Sequence, residues 1–434
     1  MTKRHLRLAH LQNAIRPITV LMATILVGVG LVLLTHADTS TKSIEADAGI
    51  AVLPANKQPV GGASGGYAVK FGTNPSNTKK RFYIVGKDIV DPDGNIFLPM
   101  GANVGMRQAP NLEYNFLFNY FGTANGKSDQ VKAWGWNIVR PNIACTQVPG
   151  GPTTQQTLDG LQDLIQEYAA KKIVVMVTCR VDVWYDHPYN EAQIQASLPM
   201  IKTIAELYKD EPYLWMNPFN EPVINQSVWT GLNQSLYNDV RAVAPDMMFV
   251  ADLAGSGNQI ENLVDGNLAT TFGSGKCNVL YDWHAYGFIN GSFANDATHQ
   301  SYINRLAGKN IAMVIGEFGD PLLQDGSPFM VRVDPDHDGI AGNPVQNRIA
   351  ANAVIKYAPP AGYGLIWWIA TGDRNDQITY SLTRDMTSPW TVTSANASTK
   401  LAPAGKAFWD TTHPARTVTR FTGNLAASGC ASAQ

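Results

Sequence analysis

The sequence predicts an α/β fold, a (β/α)8 TIM barrel, and three observations predict it. Eight short, continuously apolar runs recur along the chain, segments with apolar residues at three- and four-residue spacing lie between them, and polar residues within the runs collect at their carboxyl ends. A strand that is apolar throughout is buried on both faces, and strand–helix alternation implies parallel pairing. Eight such units close into a barrel. The competing open, doubly wound sheet would carry a Gly-rich phosphate turn after its first strand, and GANVGM (101–106) has no G-x-G-x-x-G.

Residues 1–37 read as an export segment, either a signal peptide or a signal anchor. Lys3, Arg4, Arg7 and Arg16 precede an apolar run from Ile18 to Leu34, Thr35-His36-Ala37 offers small residues at the cleavage-determining positions, and no acid appears before Asp38. The run spans about 25 Å as a helix, slightly less than the roughly 30 Å hydrocarbon core, so cleavage and retention as an anchor both remain open. Either way the cations keep the amino terminus inside and the body outside. The expected location is secreted, or anchored to the outer face of the cell membrane, with membrane contact only through this segment. Residues 38–70, rich in Ser, Thr, Ala, Gly and Pro, read as a flexible linker.

The barrel is expected over 71–412. It opens with an N-terminal hairpin, RFYIVGKDIVDPDGNIFLPM, whose apolar runs flank Asp91-Pro92-Asp93-Gly94. The strands are GANVGM (101–106), WNIVRPNI (136–143), IVVMVTC (173–179), YLWMNPFN (213–220), MFVADLA (248–254), VLYDWHAY (279–286), AMVIGEFG (312–319) and GLIWWIA (364–370). Helical periodicity covers 157–172, 199–210, 228–244, 301–310 and 344–358, and the first connection is placed around NLEYNFLFNYFG. Residues 413–434 form a C-terminal tail that packs on the barrel through Cys430 or stays partly disordered.

With 33 Lys+Arg against 35 Asp+Glu and no basic stripe, the chain is not built to bind nucleic acid. Only 16% of residues are charged, while 38 Gly and ten Trp suit a loop-rich protein meeting a neutral polar ligand through aromatic faces. Export makes the four cysteines candidates for disulfides. Cys145 and Cys179 end neighbouring strands and are the favoured pair, Cys277–Cys430 is the second, and free buried thiols are the alternative.

The polar strand ends carry the functional reading. Arg140 lies late in the second strand, Asn220-Glu221 ends the fourth, His284 and Tyr286 end the sixth, Glu317 is near the end of the seventh, and Trp367-Trp368 lie in the eighth. In a barrel these ends meet on the face where active sites form. Any one of them alone reads as a solvated or ion-paired loop residue. Two glutamates facing each other across the mouth, with an Arg, an amide, a His and a Tyr between them, are what cleavage of a glycosidic bond needs. One carboxylic acid protonates the leaving oxygen, and a second carboxylate attacks the anomeric carbon or activates water.

The stretches WNIVRPNI, NPFNEP, YDWHAYG, VIGEFGD and the Trp-bearing eighth strand resemble glycoside hydrolase family 5, the cellulase-like retaining glycosidases of a large clan, over roughly residues 80–412. The resemblance implies a retaining endo-β-glycosidase acting on a β-linked oligo- or polysaccharide, a β-1,4-glucan or mannan, with no cofactor and as a monomer. It implies Glu221 as general acid/base and Glu317 as nucleophile. Asn220 would meet the sugar 2-hydroxyl, Arg140 and Tyr286 would hold Glu317 ionised, and His284 would lie near Glu221. Trp368 would form the floor beneath a sugar ring, and Trp367, by alternation, would point into the wall. On this reading Glu221 has a raised pKa, Glu317 stays charged beside Arg140, and the two carboxyls lie roughly 5–5.5 Å apart. The alternatives are a non-catalytic carbohydrate-binding barrel and an exo-acting glycosidase of a related clan family.

One departure concerns strand three, where the family carries a His in a pattern like D-x-H and this chain has Cys179-Arg180. That puts the glycone-side pocket in question more than the reaction. His187 could return from the following loop, and Trp184 and Tyr185 are candidate sugar platforms, against surface and capping roles. DPDHDG (334–339) has the 1-3-5-6 spacing of a calcium loop, with Asp334, Asp336 and Asp338 as candidate ligands, but Val345 stands where an acidic ligand is expected. A solvated acidic turn is the competing reading.

Overall fold

The computed structural model describes residues 55–59, 67–71, 80–104, 127–146, 154–180, 190–289, 292–320, 322–323, 344–370, 378–379, 382, 392–413 and 417–433. Residues 1–37, read from the sequence as an export segment, lie outside the described residues, and among those described no helix is long and apolar enough to cross a membrane. The chain divides into two compact units, Met1–Thr73 and Asn74–Gln434. In the first, Ala55–Pro59 pairs antiparallel with Tyr67–Phe71, within the stretch read as linker. Tyr67-Ala-Val-Lys-Phe71 alternates large apolar with small or polar residues, and Gly-rich sequence precedes it, so a local hairpin wins over featureless coil.

The second unit is a closed, all-parallel barrel of eight strands. They are β1 (Met100–Val104), β2 (Ile138–Ala144), β3 (Val174–Arg180), β4 (Leu214–Asn217), β5 (Met248–Asp252), β6 (Val279–His284), β7 (Met313–Glu317) and β8 (Gly364–Trp367). The α-helices of five or more described residues are α1 (Lys127–Ala133), α2 (Thr154–Ala170), α3 (Glu191–Leu207), α4 (Gln226–Val243), α5 (Ile260–Val264), α6 (Asp296–Gly308), α7 (Pro344–Ala361) and α8 (Pro403–Thr412). Every residue of the eight strands is buried, as continuous apolar runs require. The helix expected around NLEYNFLFNYFG falls outside the described residues, and α1 lies later in the same connection.

One boundary differs from expectation, and the N-terminal hairpin gains a turn. Pro199 does not begin α3 but lies inside it, because the preceding turns bury Ile194 and Ser197 and Asn190 caps them, its Oδ1 accepting from the Gln193 N–H at 3.0 Å. Packing of those turns outweighs the lost backbone donor. The N-terminal hairpin pairs Tyr83–Val85 with Asp88–Val90 and turns at Gly86-Lys87, while Asp91–Gly94 makes a second turn that leads to a Val90–Ile96 bridge. Gly86 has φ +61, the left-handed conformation that a tight turn takes most cheaply at glycine.

This hairpin plugs the amino end of the barrel. Phe82 and Ile89 join Ile138, Val174, Trp215, Val250, Val314 and others in one core, and Phe82 and Phe97 pack edge-on against Trp215 with centroids 5.3 and 5.8 Å away. The tail then covers the hairpin. Cys430 is bonded to Cys277, Phe421 and Leu425 pack on Tyr83 and Val90, and the Ile96 N–H donates to the Thr419 carbonyl at 2.8 Å. The second disulfide, Cys145–Cys179, ties β2 to β3 at the mouth.

Candidate active site

The carboxyl ends of the strands bring Arg140, Asn220, Glu221, His284, Tyr286 and Glu317 together, with Asn103, Asn217, Asp252 and Asp282 beneath them. Arg140 of β2 is the centre, and its guanidinium is fully buried. Nη1 donates to Glu317 Oε1 at 2.6 Å and to Asn103 Oδ1 at 2.8 Å. Nη2 donates to Asn217 Oδ1 at 2.9 Å, Asn220 Oδ1 at 3.0 Å and Asp252 Oδ2 at 3.2 Å. Burial disfavours this charge, and Asp252, Glu317 and Asp282 more than restore it, so the group stays a guanidinium.

Glu317 accepts at both oxygens, from Arg140 at Oε1 and from the Tyr286 hydroxyl at Oε2, 3.0 Å away. Its position depends on a bulge. Between β6 and β7 the register runs Trp283 to Ile315 and then His284 to Glu317, skipping Gly316. A Cβ at Gly316 would lie 2.0 Å from an Asp282 carboxylate oxygen, so only glycine lets this strand pass.

Glu221 follows β4 with φ +43, in the left-handed region, and is 8% exposed. Its N–H donates to Asp252 Oδ2 at 2.9 Å, and its Oε1 lies 2.6 Å from His284 Nδ1. His284 also reaches Glu317 Oε2 at 3.6 Å, and its Nε2 is 3.4 Å from Asp252 Oδ2 and 3.7 Å from Asp282 Oδ2. Gly257, with φ +73, passes so near the ring that a Cβ there would come within 2.7 Å of it. An oxygen of each glutamate and the His284 nitrogen fall within 4.8 Å of one another.

Four carboxylates thus share a buried site with Arg140 and His284. Burial opposes charge on His284, but Glu317, Asp252 and Glu221 hold it protonated well above its ordinary range. Burial pushes Asp252 up to about 7 despite His284 and Arg140. Glu317 corrects a simple expectation. Burial raises its carboxyl above the ordinary value, His284 pulls it down, Glu221 raises it and Arg140 lowers it, so Arg140 alone does not set its charge. Glu221 also has a cation against it, the Nδ1 of His284 at 2.6 Å.

Trp367 is sealed in the wall against Phe318 and Phe408, at 5.3 and 5.6 Å. Trp368 is 7% exposed, its N–H donates to the Phe318 carbonyl beside Glu317, and its peptide bond to Ile369 is cis. Arg180, the departure at strand three, is buried at the end of β3. Trp184, Tyr185, His187, Asp334, Asp336 and Asp338 lie outside the described residues. Sequence reasoning missed Asn103, Asn217, Asp252 and Asp282. Asp252 and Asp282 did carry a signal, since each is an acid inside an otherwise apolar strand, MFVAD and VLYDWH.

The model of one family, cellulase (glycosyl hydrolase family 5), matches residues 98–372. Mannan endo-1,4-β-mannosidases of Cellvibrio japonicus and Streptomyces lividans are 21% and 22% identical to the chain, over 68% and 55% of its length. The matched parts cover 60% and 58% of those relatives. The catalytic domain of a mannanase from Streptomyces sp. SirexAA-E superposes with a TM-score of 0.54 at 17% identity, covering 78% of this chain and 95% of that one. A Thermobifida fusca endoglucanase catalytic domain superposes with a TM-score of 0.54 at 15% identity, covering 77% and 98%. These superpositions agree on the barrel. With the family model spanning more than half the sequence and both strand-end glutamates inside it, the chain belongs to glycosyl hydrolase family 5.

Proposed function

We propose that the protein is a retaining endo-β-glycosidase that hydrolyses β-linked polysaccharide, a β-1,4-glucan or mannan, with Glu317 as nucleophile and Glu221 as general acid/base. The observation that carries this is the glutamate pair itself, two buried carboxylates with oxygens within 4.8 Å of each other and unlike partners. That spacing fits double displacement, because an inverting pair stands roughly 6.5–9.5 Å apart to admit a water. Glu317, with both oxygens accepting hydrogen bonds, is the anion that attacks the anomeric carbon. Glu221, whose Oε1 lies 2.6 Å from His284 Nδ1, delivers a proton to the leaving oxygen. A glycosyl–Glu317 ester results, and Glu221 then takes a proton from the water that cleaves it.

Arg140 fixes Asn220 through its Oδ1, so that the amino group is the donor offered to the sugar 2-hydroxyl. Trp368 serves as the stacking floor. The reaction uses only proton transfer and a protein nucleophile, so no cofactor enters it, and the chain acts as a monomer. The names of the two relatives favour mannan. Two disulfides support an exported protein, secreted or held at the outer face of the membrane by residues 1–37.

The test is release of reducing sugar from a panel of β-glucans and mannans. Wild type should act on at least one, and Glu317→Ala should lose at least about 10³-fold. Equal inactivity of both proteins would leave a carbohydrate-binding barrel without turnover.

A further inference from the structure

We propose that Asp252, at the carboxyl end of β5, is the positioning residue for Glu221, fixing its backbone from beneath and aligning the buried donors around it. This rests on the reading of Glu221 as general acid/base. The left-handed φ of +43 at Glu221 is costly for any residue with a Cβ, on the order of 1 kcal/mol, and persists only where the surroundings hold it. Asp252 supplies that hold. Its Oδ2 accepts the Glu221 N–H at 2.9 Å, and its Oδ1 accepts Asn217 Nδ2 at 2.7 Å. One carboxylate therefore grips β4 at its last residue and again after Pro218-Phe219-Asn220, setting the path by which Glu221 reaches the mouth.

Asp252 is itself held. The Trp229 indole N–H of α4 donates to its backbone carbonyl at 2.7 Å, and just beyond β5 the Ser256 N–H donates to the Pro222 carbonyl at 3.2 Å. Loss of Asp252 should reach Glu221 before Glu317. Arg140 and His284 touch Asp252 too, but Arg140 keeps Asn103, Asn217, Asn220 and Glu317 as acceptors and His284 keeps Glu221, Asp282 and Glu317 beside it, whereas the Glu221 N–H would face an altered partner. In Asp252→Asn one acceptor oxygen becomes an amino group. Whichever way the amide turns, it meets a donor, either Asn217 Nδ2 or the Glu221 N–H and Arg140.

The experiment compares wild type, Asp252→Asn and Glu221→Ala on a β-linked polysaccharide and on a dinitrophenyl β-glycoside with azide present. The aryl leaving group needs no proton, and azide attacks the ester without a base. Asp252→Asn should lose about 10²-fold in kcat on polysaccharide with KM within about twofold, the cost of a small misplacement, and under about fivefold on the aryl substrate. Glu221→Ala should show the same contrast, enlarged. If Glu221→Ala shows it and Asp252→Asn loses equally on both substrates, or loses nothing, the role of Asp252 is overturned and that of Glu221 stands. If Glu221→Ala lacks the contrast, both readings fall. Should Asp252→Asn not fold, Trp229→Phe removes the indole donor that holds the Asp252 carbonyl without touching Arg140, and it should lose more on polysaccharide, about tenfold, than on the aryl substrate. Equal loss on both substrates would again overturn the proposal.

Discussion

His284 stands between the two glutamates, 2.6 Å from Glu221 and 3.6 Å from Glu317, so its charge acts on both. Glu317 is raised by burial and lowered chiefly by His284, so removing that cation makes the ionised carboxylate of Glu317 harder to form. His284→Gln should therefore move the acid limb of kcat/KM, read on an activated aryl glycoside with azide, to higher pH. An unmoved limb, or one displaced downward, would show that the His284 charge does not govern Glu317. At this scale the sequence was partly legible. Glu221, Glu317, Arg140, His284 and Tyr286 stand out because each is polar where an apolar strand ends. Asp252, Asp282 and Asn217 did not, because a polar residue one layer deeper looks like a core exception until the partners from other strands are seen around it.

The elements deliver these side chains through small irregularities in a regular frame. β7 skips Gly316 opposite β6, which turns Glu317 toward His284 and passes its backbone against Asp282. Gly316→Ala would set a methyl group where the Asp282 oxygens lie, so it should cost about 1–3 kcal/mol in stability and lower kcat at least about 10²-fold. Denaturant unfolding and kinetics check the two together, and a fully active variant of unchanged stability would show that the bulge does not hold the site. All eight strands were legible, because double burial writes continuous apolar runs. The start of α3 was not, because Pro199 normally marks a first turn, and only packing of Ile194 and the cap at Asn190 extend the helix before it. The hairpin around Asp91–Gly94 was legible from its turn residues, and residues 89–91 do pair with 95–97 across it, whereas the further turn at Gly86-Lys87 that adds Tyr83–Val85 was not, because Gly86 alone is a weaker turn signal.

Over the whole barrel, the two ends do different work. The amino end is closed by the hairpin core on Phe82 and Trp215 and by a tail fastened through Cys277–Cys430, a covalent link across 153 residues of sequence. The carboxyl end carries the charged floor, with Cys145–Cys179 joining β2 and β3 and the Asn220 N–H donating to the Cys179 carbonyl at 2.9 Å. That division was legible in outline, from parallel strands whose polar residues all gather at one end. The balance of charge was not, because four carboxylates, a guanidinium and an imidazole meet only when strands distant in sequence close into a ring. Double displacement, the mechanism proposed for this pair of glutamates, retains the anomeric configuration. The most direct test is the anomeric configuration of the first product, followed by proton NMR as a β-linked oligosaccharide is cleaved. The β-anomer should appear first and mutarotate afterwards, and first appearance of the α-anomer would rule out double displacement.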